Sequence, residues 1–249
     1  VYEDLNQSED GSFIAYVHRY PMKTDYERSG DSEYELIRLQ MDGGAATDTL
    51  MARTDEEPQV EWNHAGSAFA YAREGKVFVQ EADEDTSGAL EITEGLYEKV
   101  EEGDTVKVSF SVERWHPQDS SLLLSSDEGY HLADPEEGGL ELVYALPENK
   151  DEAPRRDLVS WSTDGRYLYM TYSERDRWQR GLTRFDLEER EMEALRIDSD
   201  LYSNWEFAEN GNRILFEASD GNLPAELYAS GPELDSPKKL TDLNPWLDN

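Results

Sequence analysis

The chain has 249 residues and a mass of 28.5 kDa, with 57 acidic side chains against 23 basic ones and a formal net charge of −34. Cysteine is absent, which excludes disulfides and thiolate metal sites. No stretch approaches the roughly 18 apolar residues of a membrane-spanning helix, and so negative a surface argues against a nucleic-acid backbone or an anionic membrane as partner.

At 37% hydrophobic and 11% aromatic the chain has the means to build a core. By surface scaling, a folded protein of this size and charge carries about one uncompensated negative charge per 300 Å². In dilute salt that field opposes compaction; in molar salt the Debye length shrinks to about 3 Å and the repulsion largely vanishes. The basic residues are 16 Arg and 7 Lys, and the acids are interleaved with Trp, Tyr and Leu instead of forming the blocks of a polyacidic tail. Acid-rich, lysine-poor composition resembles that of halophilic proteins, so the expected habitat is a high-salt cytoplasm or brine. The start at Val1, without initiator Met or signal-peptide pattern, predicts a piece of a larger protein.

In chain order, five segments align without gaps: LNQSEDGSFIAYV from Leu5, VEWNHAGSAFAYA from Val60, ERWHPQDSSLLLS from Glu113, VSWSTDGRYLYMT from Val159 and WEFAENGNRILFE from Trp205. The third residue of each is an anchor: Gln7, Trp62, Trp115, Trp161 and Phe207, spaced 55, 53, 46 and 46 residues apart. Four residues on stands Gly11, Gly66, Asp119, Gly165 or Gly211, where a tight turn needs φ > 0; Asp is among the few other residues that tolerate it. Apolar residues then alternate at period two, as in Ile14/Tyr16, Phe69/Tyr71 and Ile214/Phe216, the pattern of a half-buried strand. Further strand-like runs are Tyr34 to Met41, Gly75 to Glu81, Tyr130 to Asp134, Leu140 to Leu146, Leu182 to Leu187 and Ala225 to Ala229, while Leu96 to Val112 has room for an extra hairpin across Gly103-Asp104.

Four short antiparallel strands per unit of about 40 to 50 residues is the arithmetic of a β-propeller blade. The predicted fold is therefore all-β, a β-propeller of about five four-stranded blades, complete in itself or part of a larger propeller. The repeats run approximately 1–57, 58–110, 111–157, 158–203 and 204–249 within a single propeller domain or fragment. A β-sandwich is the rival architecture, and it leaves five in-phase anchors unexplained.

The motif W-S-x-D-G-x-x-L, here Trp161, Ser162, Asp164, Gly165 and Leu168, resembles the blade motif of the prolyl oligopeptidase family and of periplasmic translocation propellers. WD-repeat blades carry Trp-Asp and Gly-His pairs, which are lacking here. The run from Asp220 to Leu247, with Pro224, Leu227, Tyr228, Leu240, Thr241, Asn244 and Pro245, looks like the last propeller strands of a prolyl oligopeptidase-family peptidase of the dipeptidyl or acylaminoacyl type, where the chain leads towards the catalytic domain. The resemblance implies a propeller that caps an α/β-hydrolase domain and restricts access to short peptides. Its partners would be its own C-terminal catalytic domain and peptide substrates. In some members propeller side chains hold the peptide N-terminus; the pairs Glu101-Glu102 and Glu136-Glu137 do not match that motif.

Serine hydrolysis on that scaffold needs a G-x-S-x-G elbow, and the sequence has none, so no catalytic residue is expected and this chain alone should not hydrolyse peptides. His18, His64, His116 and His131 all lie in repeats, and a structural role is the expectation for His64 and His116. No His-Glu-x-x-His helix or phosphate-binding Gly loop occurs. The segment from Asp83 to Glu94 has calcium-loop spacing, with candidate oxygen ligands at Asp83, Asp85, Ser87 and Glu94 and the sharp-turn glycine at Gly88. Its strand-like flanks support the competing reading, a polar hairpin turn. No other cofactor is implied. Arg155-Arg156 and the cluster Arg175, Arg177, Trp178 and Arg180 have the chemistry to hold a carboxylate bidentately or to neutralise neighbouring acids.

Overall fold

The structure, a computed structural model, describes residues 2–8, 11–21, 32–41, 46–55, 57–84, 88–96, 98–101, 104–147, 149 and 153–243. Among them every regular element is a strand. Five antiparallel sheets of four strands follow one another. Blade 1 is β1 (Tyr2–Gln7), β2 (Phe13–Pro21), β3 (Ser32–Gln40) and β4 (Thr47–Thr54); blade 2 is β5 (Val60–Trp62), β6 (Ala68–Arg73), β7 (Lys76–Glu81) and β8 (Leu90–Glu91). A separate hairpin, β9 (Glu98–Glu101) with β10 (Asp104–Lys107), fills the predicted position, its connecting residues lying outside those described. Blade 3 is β11 (Ser111–Trp115), β12 (Leu122–Ser125), β13 (Gly129–Ala133) and β14 (Leu140–Ala145). Blade 4 is β15 (Leu158–Trp161), β16 (Tyr167–Glu174), β17 (Gln179–Asp186) and β18 (Glu191–Asp198); blade 5 is β19 (Leu201–Phe207), β20 (Ile214–Ser219), β21 (Glu226–Ser230) and β22 (Lys238–Lys239). Within each sheet the strands are ordered as in the sequence, a plain meander.

The repeat is visible in the pairing register. Each anchor faces the residue seven positions on: Gln7↔Ile14, Trp62↔Phe69, Trp115↔Leu122, Trp161↔Leu168 and Phe207↔Ile214. Between them lies the same turn. The backbone N–H four residues after the anchor donates to the carbonyl one residue after it: Gly11 to Ser8 (2.9 Å), Gly66 to Asn63 (3.0 Å), Asp119 to His116 (2.8 Å), Gly165 to Ser162 (2.9 Å) and Gly211 to Ala208 (2.8 Å). The donor's φ is positive in all five: 70°, 65°, 56°, 79° and 67°. Side chains secure the turn too, since Ser8 Oγ accepts from Phe13 N–H at 3.1 Å and Ser162 Oγ from Tyr167 N–H at 2.7 Å. The first strand carries a register shift in blades 1, 3, 4 and 5, which adds local twist.

By chain contacts the molecule divides into two compact units, Val1–Ala145 and Leu146–Asn249. In the first, blade 2 buries both faces by strict alternation. Phe69 and Tyr71 of β6 join Ala15, Val17, Leu36 and Leu50 of blade 1. Ala68 and Ala70, on the opposite face, join Val112, Trp115, Leu122 and Leu124 of blade 3 and Phe110 just before it. Large rings on one face and methyl groups on the other let both neighbouring sheets pack closely against blade 2. The aromatic side is continuous: Phe13–Trp62, Trp62–Phe69, Phe69–Tyr71 and Tyr71–Phe78 centroids lie 6.2, 4.9, 6.0 and 5.3 Å apart. In the second unit Tyr169 and Leu182 of blade 4 pack with Ile214 and Phe216 of blade 5, and the ring of the anchor Phe207 lies tilted against that of Tyr169, centroids 4.6 Å apart.

Candidate functional site

The turns after the anchors carry organised polar chemistry. Asp119, the turn residue that is not glycine, reaches one repeat back to the turn of blade 2. Its Oδ1 accepts from the His64 backbone N–H and from His64 Nδ1, each at 2.9 Å, and its Oδ2 from the Ala65 N–H at 3.2 Å. The carboxylate thus serves as a cap for two backbone donors and fixes the His64 hydrogen on Nδ1. His116, beside it, uses Nδ1 as an acceptor from Gln118 N–H and Ser120 Oγ, both at 3.1 Å. Burial pushes the His116 pKa below its usual value; Asp119 opposes that and His64 adds to it. Oriented His64 is thus part of a clamp between turns, while His116 ties together its own turn.

A graded pair of variants tests the clamp. Asp119→Ala loses the three acceptor contacts and keeps a Cβ in the left-handed region without the side-chain oxygens that offset it, an expected cost of about 2 kcal/mol. Asp119→Gly loses the same contacts but suits the backbone, an expected cost of about 1 kcal/mol. The urea midpoint measures both; equal losses would show that the turn's backbone conformation contributes nothing.

His131 is buried in β13, its Nε2 2.9 Å from Ser126 Oγ and its ring 5.4 Å from Phe110, edge to face; burial lowers its pKa, against a smaller upward pull from Glu128. His18 lies in β2 with its ring 4.1 Å from that of Tyr20.

Of the calcium candidates, Asp83 follows β7 and Glu94 lies in the turn after β8, both exposed, while Asp85 and Ser87 lie outside the described residues. The loop joins two antiparallel neighbours, β7 and β8. Among the described residues no group of three or more His, Asp or Glu side chains is placed to hold a metal ion.

The arginine cluster forms the end of the β16–β17 hairpin. Arg155 pairs with Asp157 at 2.9 Å and Arg177 with Glu174 at 3.4 Å, while the Arg156 guanidinium lies 5.3 Å from the Tyr172 ring centroid. Trp178, at φ 54°, is 72% exposed. Arg155 and Arg177 thus neutralise neighbouring acids.

The C-terminal motif closes blade 5. Thr241 Oγ1 accepts from the Leu227 N–H at 2.9 Å and donates to the buried Glu226 carboxylate, which also accepts from the Leu243 N–H at 3.0 Å and faces Lys239 Nζ at 3.5 Å. The Thr241 bond, ahead of the Leu243 and Lys239 contacts, holds the Glu226 pKa below its usual value. Asn244 and Pro245 lie outside the described residues. Sequence reasoning missed Glu226, a carboxylate in the strand-like run Ala225 to Ala229 whose partner Thr241 lies fifteen residues on.

A further feature without sequence signature is an open cleft between the turns of blades 1 and 2, lined by Ser8, Ser12, Phe13, Ala65–Ser67 and Glu81–Asp83.

No protein-family profile matches the chain, and a sequence search among curated proteins finds no match. Solved structures do match. TolB from Acinetobacter baumannii aligns with 94% of this chain and 52% of its own at a TM-score of 0.54 and 12% identity. A puromycin-hydrolyzing peptidase from Mycobacterium tuberculosis aligns with 96% of this chain and 37% of its own at 0.61 and 15%. Prolyl oligopeptidase B from Galerina marginata aligns with 96% and 34% at 0.65 and 14%. The chain therefore spans about half of that TolB and about a third of each peptidase. With its five four-stranded meanders, it has a β-propeller fold of the type these TolB and prolyl oligopeptidase chains contain.

Proposed function

We propose that this chain is the non-catalytic propeller domain of a serine peptidase, gating or positioning peptide substrates for a hydrolase domain that follows it in the parent protein. The observation that carries this reading is the match of nearly the whole chain to about a third of two peptidase chains. The closing of blade 5 by Leu240 and Thr241 supports it, because these are the residues that resemble the peptidase exit segment. The sequence offers no nucleophile elbow, so chemistry belongs to the partner domain. A second reading, a stand-alone propeller that binds protein partners, is favoured by the TolB match.

The test is the parent reading frame. With the propeller deleted, cleavage of long polypeptides is expected to rise relative to short aminoacyl nitroanilides, while this chain alone releases no nitroaniline. A parent frame without a hydrolase domain, or an unchanged ratio of long to short substrates, would overturn the gating role.

A further inference from the structure

The turns of blades 1 and 2 leave an open cleft of about 690 Å³, within the size range of ligand sites. Phe13 and Ala65 supply its apolar surface, and Glu81 and Asp83 supply its charge. Arg38, at the back of the cleft wall, donates through Nη1 to the Ala82 carbonyl and through Nη2 to Asp48 at 3.0 Å. Burial first, then the charges of Asp83, Glu84 and Glu136, raise the Glu81 pKa. Asp134, Asp164, Asp186, Asp220 and Glu226, by contrast, have their pKa values held below the usual range by the hydrogen bonds they accept. Among the described residues none of Glu81, Asp83, Glu84 and Glu136 makes an ion pair with Lys, Arg or His.

We propose that this cleft docks a basic side chain, a lysine or arginine presented by a peptide or protein partner, its methylenes against Phe13 and Ala65 and its cationic head on Glu81 and Asp83. Such a side chain has an apolar stem and a charged tip, the same two chemistries the cleft sets side by side. A bare divalent ion would use the carboxylates and leave the apolar wall idle, and it needs six or more oxygens. An anionic or purely apolar ligand leaves the carboxylate repulsion in place. An incoming cation relieves it, so binding draws on strain already present in the free cleft.

The test uses this chain alone, so its failure leaves the gating role standing. The chain is titrated at low ionic strength with acetyl-Gly-Arg-Gly-amide and with its citrulline counterpart, which keeps the shape without the charge. Amide NMR signals of Ala65, Gly66, Ser67 and Ala82 are followed. Saturable shifts are expected with the arginine peptide, weakened about tenfold by citrulline or by Glu81→Gln and unchanged by Glu206→Gln in blade 5. Phe13→Ser is expected to weaken both peptides alike. Equal loss from Glu81→Gln and Glu206→Gln would reduce the effect to general charge attraction and overturn the proposal. Equal binding of the citrulline peptide would overturn it too, as would the same shift pattern produced by millimolar calcium chloride with displacement of the peptide.

Discussion

Trp115→Ala is expected to destabilise the chain by about 3–5 kcal/mol, the range for removing a buried aromatic side chain. Trp115 is 3% exposed and belongs to the cluster that joins Ala68, Ala70, Val77 and Val79 of blade 2 to Leu122 and Leu124 of its own blade. Its ring therefore contributes to two sheets at once, and the surrounding methyl groups are too short to collapse into the space it would leave. Its indole N–H also donates to the Glu61 carbonyl in the neighbouring blade at 2.9 Å. Trp115→Phe keeps most of the packing and loses that bond, an expected cost of about 1 to 2 kcal/mol. Trp178→Ala removes the same side chain from a hairpin end where it is 72% exposed, and should stay within about 0.5 kcal/mol of the parent. Urea unfolding of the three variants separates these values. A Trp115→Ala loss no greater than that of Trp178→Ala would mean that the anchors do not hold the blades together.

The anchors were legible because they solve a local problem. A turn of fixed length must bring residue seven opposite the anchor, and a left-handed residue must stand at position four. Even Gln7, which breaks the aromatic pattern, pairs with Ile14 in the shared register, so backbone geometry and not ring chemistry defines the repeat. Asp119 showed only as an exception to the glycine column. Its reason lies 55 residues earlier at His64, a separation at which no spacing rule operates. The exception was nonetheless the available signal, since Asp pays a steric cost there that glycine avoids and some contact must offset it. The cleft was illegible for a similar reason: Phe13 and Glu81 meet only when two sheets pack, and each alone reads as an ordinary strand residue. The two-residue strands β8 and β22 are likewise too short to show alternation; they are specified by the neighbours they pair with.

Raising potassium chloride from about 0.1 M to about 2 M is expected to raise the melting midpoint by about 10 °C or more, the opposite of the response of a protein held by surface ion pairs. Two terms compete. Salt weakens pairs such as Arg166–Asp186 at 2.7 Å and Arg184 with Glu193 and Glu233 at 2.7 and 2.6 Å, but each has one partner open to solvent, and such pairs are worth about 1 kcal/mol each. Salt also screens the repulsion of an excess of 34 negative charges, which grows with the square of the net charge and is larger in the compact state than in the extended one. Carboxylates that face one another, as Glu81 does Asp83, Glu84 and Glu136, sit where that repulsion is strongest. With only 23 basic residues available for pairing, the repulsive term outweighs the paired one. Replacing Glu81, Asp83, Glu84 and Glu136 by their amides should therefore raise the low-salt midpoint and flatten its salt dependence. A midpoint that falls with added salt, or that the amides leave unmoved, would show that the acids are paired locally and that the chain's composition is no adaptation to concentrated salt.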